Sequence, residues 1–124
     1  MAKHHSPGFL ALVEDAKKRV KEISAAELKS RLDEGGGFYL IDVRESEEWA
    51  AGHLPRALHL CKGIIERDIE VAISDPNAEI ILYCGGGFRS VLSADNLQKM
   101  GYKRVWSLAG GWRGWREAGL PTEK

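Results

Sequence analysis

The chain has 124 residues, of which 18 are Lys or Arg and 18 are Asp or Glu, so its formal charge at neutral pH is zero. That balance argues against nucleic acid or an anionic membrane as the main partner, because neither is held well without a basic face. With 44% hydrophobic and 29% charged residues it reads as a soluble globular domain, long enough for one core and too short for two.

Ser6-Pro7 has the form of an N-cap and first helical position, and Phe9, Leu12, Val13, Ala16 and Val20 recur at helical spacing, which predicts a helix over residues 7–19. Residues 20–23 suit a short strand. Ser24-Ala25-Ala26-Glu27 reads as a capping box, and Leu28 and Leu32 put an apolar stripe on a second helix that stops at the glycines 35–37. This glycine run lacks the Lys-Ser/Thr ending of a phosphate-binding P-loop. Residues 38–41 are an unbroken apolar strand with helices predicted on either side, the pattern of a parallel sheet. A short helix over 46–51, a turn at Gly52-His53-Leu54-Pro55 and a brief strand over 57–60 follow. Ile65, Ile69, Ala72 and Ile73 mark the inner face of the next helix, which Asp75-Pro76-Asn77 breaks. Residues 80–83 are predicted as the central strand, 89–100 as the helix it feeds and 105–108 as the last strand. Gly110-Gly111 then leads into a helix carrying Trp112 and Trp115 that ends at Gly119.

Strand and helix alternate throughout, which predicts an α/β fold with a mostly parallel sheet and helices on both faces. Residues 1–23 supply an N-terminal helix and first strand and residues 24–124 the body, together one globular unit. In such sheets ligands bind outside the carboxyl ends of the strands, where the segments after Asp42, Leu60, Cys84 and Leu108 should gather.

The stretch Cys84-Gly85-Gly86-Gly87-Phe88-Arg89-Ser90 therefore stands where the central strand hands over to a helix. Three glycines let the loop curl with its N–H groups inward as an anion-binding nest, and the following helix adds the positive end of its dipole. A thiol in that cradle should lose its proton more easily than a free one, because backbone donors favour the thiolate, and Arg89 supplies a permanent cation. The residues thus read as a cysteine nucleophile in an anion-binding loop; the alternative is a tight turn around a buried structural thiol.

Two cysteines, Cys61 and Cys84, make neither a disulfide framework nor a zinc pattern, which points to a reducing, cytoplasmic setting with no metal. The adjacent His4-His5 most simply belong to a solvated N-terminus. His53 is not called for as a base for Cys84, because the loop already gives thiolate formation a sufficient cause.

Three separated stretches resemble one family together. Leu40-Ile41-Asp42-Val43-Arg44 with Glu48-Trp49 and Gly52-His53-Leu54-Pro55 is similar to the first signature of the rhodanese-like domain. Cys84 to Ser90 resembles its active-site loop, and Leu108-Ala109-Gly110-Gly111 with Trp115 and Gly119-Leu120-Pro121 its C-terminal signature. The resemblance implies a rhodanese-like, five-stranded sheet and a catalytic cysteine carrying sulfane sulfur as a persulfide, with no cofactor. By residue it implies Cys84 as nucleophile, the N–H groups of Gly85, Gly86, Gly87, Phe88 and Arg89 as the cradle with Ser90 closing the loop, and Arg89 as the group orienting an anionic donor. Asp42 and Arg44 would brace the loop, or simply form a structural ion pair at a strand end. Cys61, Lys62, Arg67 and Trp112 would rim the pocket; packing for Cys61 and an exposed charged helix face for Lys62, Glu66 and Arg67 are the plainer readings.

Related dual-specificity phosphatases resemble this family but need one more residue between cysteine and arginine than the four present here, Gly85, Gly86, Gly87 and Phe88. Thiosulfate as donor and cyanide or a thiol as acceptor is the expected chemistry. The loop is neutral between Cys84 and Arg89, whereas some family members carry basic residues there that would hold a donor's sulfonate. The alternatives are a persulfide relay that hands sulfur to a partner protein in cofactor or tRNA thiolation, and a non-catalytic docking module.

Overall fold

The computed structural model describes residues 5–124. Six helices and five strands alternate: α1 (Pro7–Lys17), β1 (Lys21–Ile23), α2 (Ala25–Asp33), β2 (Tyr39–Asp42), α3 (Ser46–Ala51), β3 (Leu58–His59), α4 (Ile65–Ala72), β4 (Glu79–Tyr83), α5 (Arg89–Lys99), β5 (Arg104–Leu108) and α6 (Gly111–Glu117). The strands form one sheet in the order β1-β5-β4-β2-β3, and every strand pairing is parallel. An isolated antiparallel bridge, His53 to Glu123, lies outside the sheet.

The central strand β4 is buried along its whole length, and its side chains alternate between two cores as strand geometry requires. Ile80 and Leu82 join Val13 and Ala16 of α1, Ile65 and Ile69 of α4, and Val91, Ala94 and Leu97 of α5 on one face. Ile81 and Tyr83 join Leu28 of α2 and Trp115 of α6 on the other. Each such large apolar side chain contributes about 1.5–3 kcal/mol by leaving water, and the two cores hold the sheet between helical layers.

Local signals account for most element ends. Ser24 and Glu27 form the expected capping box, with Ser24 Oγ accepting from Glu27 N at 3.1 Å and Glu27 Oε1 from Ser24 N at 3.1 Å. Ser6 occupies the N-cap position of α1, but its hydroxyl makes no capping bond, and the helix start rests on Pro7. Ala72 is exposed, contrary to the expected inner face of α4. Ile65, Ile69 and Ile73 lie four apart and alone turn inward.

At the amino end of β4, away from the carboxyl edge, Glu79 is nearly buried and gathers Arg31, Arg104 at 3.4 Å and the Trp106 indole N–H at 3.0 Å. Its hydrogen bonds from Arg31 outweigh burial and hold its carboxyl below the ordinary value of 4.5. A carboxylate with a depressed folded pKa stabilises the fold fully above its unfolded value and loses that contribution as pH falls through the lower folded value. Glu79→Gln is therefore expected to cost on the order of 1–3 kcal/mol at neutral pH and to flatten the decline in stability below pH 4.5. Parallel urea titrations of the two proteins across that range check it; equal acid slopes would refute it.

Candidate active site

Cys84 directly follows β4, at the carboxyl edge of the sheet, and is 1% exposed. Its Sγ receives the N–H of Gly87 at 3.2 Å and that of Ser90 at 3.4 Å, with Ser90 Oγ also at 3.4 Å. The expected cradle ran over Gly85 to Arg89, but of those N–H groups only that of Gly87 reaches the sulfur, and Ser90 at the start of α5 supplies the second. Ser90 Oγ is in turn 2.8 Å from Ser107 Oγ on β5, both residues being fully buried.

The loop is clamped from behind by α6. Trp112 N–H donates to Cys84 O at 2.8 Å and Arg113 N–H to Gly85 O at 2.9 Å. This approach needs Gly111, whose φ is +53° and where a Cβ would stand 2.4 Å from Cys84 O.

Arg89 does not stand free. Its Nη1 and Nη2 donate to the two carboxylate oxygens of Glu48 on α3 at 3.1 and 3.3 Å. Burial opposes the guanidinium's charge, but Glu48 and the neighbouring Cys84 sulfur outweigh it and raise its pKa. Burial likewise opposes ionisation of Glu48, and the bonds from Arg89 and the Glu45 N–H prevail and lower its pKa. In the sequence Glu48 stands out only as part of the family signature, not as a site residue. Its partner Arg89 lies 41 residues away in the sequence, so nothing local to Glu48 signals the pair.

A pocket of about 550 Å³ opens on the loop. Cys84, Gly85, Gly86, Phe88 and Arg89 form its floor. Glu48 and Arg113 border it, and His5, Ser6 and Phe9 complete the wall. The His5 ring packs against Phe88 at 4.8 Å and Phe9 at 5.3 Å between centroids, while Lys17 Nζ lies 5.5 Å over the Phe88 ring. His5 is thus part of the pocket rather than of a solvated terminus; His4 lies outside the described residues.

Asp42 and Arg44 form a buried ion pair at the end of β2, with contacts of 2.8–3.0 Å, and Arg44 Nη2 also donates to Gly52 O at 2.6 Å. The Arg44 guanidinium lies over the rings of Trp112 at 4.5 Å and Tyr83 at 5.6 Å. Neither member borders the pocket. Their link to the loop runs through Trp112, whose N–H holds Cys84 O. Breaking such a pair from one side costs about 3–5 kcal/mol, because the other charge is left buried.

The proposed rim residues lie elsewhere. Cys61 and Lys62 follow β3, which is two strands from β4 in the sheet and so about 10 Å away; Lys62 N–H bonds Val43 O at 2.9 Å. Arg67 is exposed and paired with Asp68, and Trp112 is turned onto Arg44. His53 stacks on Trp49 with ring centroids 3.5 Å apart, also outside the pocket lining.

A parallel α/β sheet with a cysteine loop between its central strand and the next helix defines a class of domain that presents a thiol to backbone donors at the carboxyl edge of the sheet. The chain belongs to the rhodanese-like domain family, whose model matches residues 24–118. It is 38% identical over 96 residues to the "Putative sulfurtransferase YtwF" of Bacillus subtilis, covering 77% of this chain and 90% of that protein. To the thiosulfate sulfurtransferase GlpE of Coxiella burnetii it is 30% identical over 99 residues, covering 80% and 87%. Among solved structures, a Rhodopseudomonas palustris protein of unknown function superposes with a TM-score of 0.88 at 26% identity, covering 99% of each chain. No helix among the described residues is long and apolar enough to cross a membrane.

Proposed function

We propose that the protein is a sulfurtransferase that carries sulfane sulfur on Cys84, taking it from a donor such as thiosulfate and passing it to cyanide or a thiol. The observation that carries this reading is the Cys84 sulfur held by the Gly87 and Ser90 N–H groups on the floor of an accessible pocket. Those donors stabilise negative charge on sulfur in place, without reorganisation during the reaction.

In the first step the Cys84 thiolate attacks the outer sulfur of thiosulfate. A new S–S bond forms, the bond to the sulfonate sulfur breaks, and its electron pair leaves with sulfite, so the persulfide anion remains on Cys84. In the second step cyanide attacks the outer persulfide sulfur, thiocyanate departs, and the electron pair of the broken S–S bond restores the Cys84 thiolate. A thiolate acceptor reacts the same way and leaves as a persulfide. Nucleophile and leaving groups are all anions, so no general base is needed.

The Rhodopseudomonas neighbour is described as a "Possible Tyrosine Phosphatase". Phosphate transfer is disfavoured for this chain by its four-residue spacing between Cys84 and Arg89, and by Glu48, whose carboxylate faces Arg89 where a phosphate dianion would need the cation.

Treating the protein with thiosulfate and weighing it by mass spectrometry tests the proposal. One sulfur atom should appear on Cys84 and leave as thiocyanate on addition of cyanide. If Cys84 stays unmodified with every sulfane donor while its thiol is free, the proposal is wrong. Loading followed by negligible turnover with small acceptors would point to delivery of the same persulfide to a partner protein.

A further inference from the structure

We propose that Arg113, on α6, forms the anion-binding subsite of this pocket and receives the charged end of the sulfur donor, the part that the loop arginine was expected to play. The charges that border the pocket decide this. Arg89 gives one N–H of each terminal nitrogen to Glu48, and that carboxylate itself borders the pocket, so the Arg89 charge is largely offset where a donor would enter. Arg113 is the other arginine of the lining, is exposed, and among the described residues has no carboxylate within ion-pair distance.

Its position is set by the backbone. The Arg113 N–H bonds Gly85 O at 2.9 Å, which fixes the root of the side chain against the loop that bears Cys84. Its Nη1 lies 3.8 Å from where a Cβ on Gly86 would stand, so the bare backbone at Gly86 leaves the guanidinium close above the loop.

The stereochemistry of the transfer calls for a cation in this place. Displacement at a sulfane sulfur is in line, so the leaving group lies on the far side of the transferred sulfur from Cys84. The N–H groups of Gly87 and Ser90 face Sγ itself and serve the cysteine, whereas a sulfonate points outward, toward the pocket border where Arg113 stands. A guanidinium presents a planar fork suited to two oxygens of such a group. The subsite selects donors with a compact oxyanion next to the transferred sulfur over uncharged sulfane donors. Because the sulfonate carries its charge both in the bound donor and in the transition state, losing this contact raises KM and leaves kcat nearly unchanged.

The substrate assignment rests on the sulfurtransferase reading, but the subsite itself is testable without it. The rates at which iodoacetate and iodoacetamide alkylate Cys84 are followed by peptide mass spectrometry, which separates Cys84 from Cys61. Arg113→Gln should lower the iodoacetate-to-iodoacetamide ratio about fivefold, with Arg113→Glu lowering it further, Arg113→Lys retaining most of it, and the iodoacetamide rate staying within about twofold in all three. In the thiosulfate assay Arg113→Gln should raise KM about tenfold with little change in kcat. An unchanged alkylation ratio in Arg113→Gln and Arg113→Glu overturns the proposal. A lowered ratio in a protein that never loads sulfur sustains the subsite and refutes the sulfurtransferase reading alone.

Discussion

Cys84→Ser is expected to fold normally and to lose sulfur loading by at least about a thousandfold. The replacement keeps shape at a site that is 1% exposed, and the Gly87 and Ser90 N–H groups and the Ser90 hydroxyl accept an oxygen partner as readily as a sulfur one. What disappears is the thiol that the proposed transfer needs. A serine hydroxyl ionises far above neutral pH, and here no base stands in the role that activates serine elsewhere. His53 is stacked on Trp49 instead of facing the loop. Sulfite release in a single turnover, together with a melting curve, checks both halves of the expectation. Loading of the variant within tenfold of the native rate would show that the sulfur sits elsewhere. Cys61, the second free thiol, is the site the mass map would then reveal.

Gly111→Ala should be the most damaging small substitution in the chain. A methyl group there would meet Cys84 O at 2.4 Å and the carbonyl carbon and oxygen of Gly85 at 3.0 Å, all backbone atoms of the loop. They cannot swing aside as a side chain tip would. The left-handed backbone at φ +53° adds its own strain. Together these are expected to cost on the order of 2–5 kcal/mol, or about 10 °C or more in melting temperature for a domain of this size. The hydrogen bonds from Trp112 and Arg113 to the loop must stretch or break, so the surviving folded fraction should also load sulfur more slowly. Gly119→Ala is the matched control: φ there is +73°, yet a Cβ would meet nothing within 4 Å. Its cost should be about 1 kcal/mol, from backbone strain alone. Equal melting temperatures for the two variants would show that the α6 clamp is not as tight as its contacts imply.

What was legible in the chain is what short-range chemistry writes there. Ser24 and Glu27 announce their helix because the capping partners are three residues apart. Cys84 could be placed at a strand-to-helix junction because the apolar run before it and the glycines after it are local too. The partners of the site were hidden for the opposite reason. Glu48 meets Arg89 only once α3 and the loop after β4 are brought to one edge of the sheet, and Ser107 meets Ser90 only through the pairing of β4 with β5. His5 reads as part of a solvated tail because its packing shows only in the fold, where Phe9 one helical turn on and Phe88 far along the chain both meet its ring. Cys61, Lys62 and Arg67 lie off the pocket lining because of the strand order, since a strand's carboxyl end alone does not say how far across the sheet it lies from the centre.

The strand order also sets when this molecule can become complete. The first strand, Lys21–Ile23, has a single partner in the sheet, and that partner is the last strand, Arg104–Leu108. During synthesis the first strand must wait, unpaired, until the last strand has emerged. Closing so long a loop is slow relative to local helix formation. The central pair β4 and β2 forms over a much shorter separation, and a sheet grown from that pair would receive β1 last. The segment that walls the pocket with His5 and Phe9 would then arrive in the same late event, so that the pocket over the thiol loop closes last.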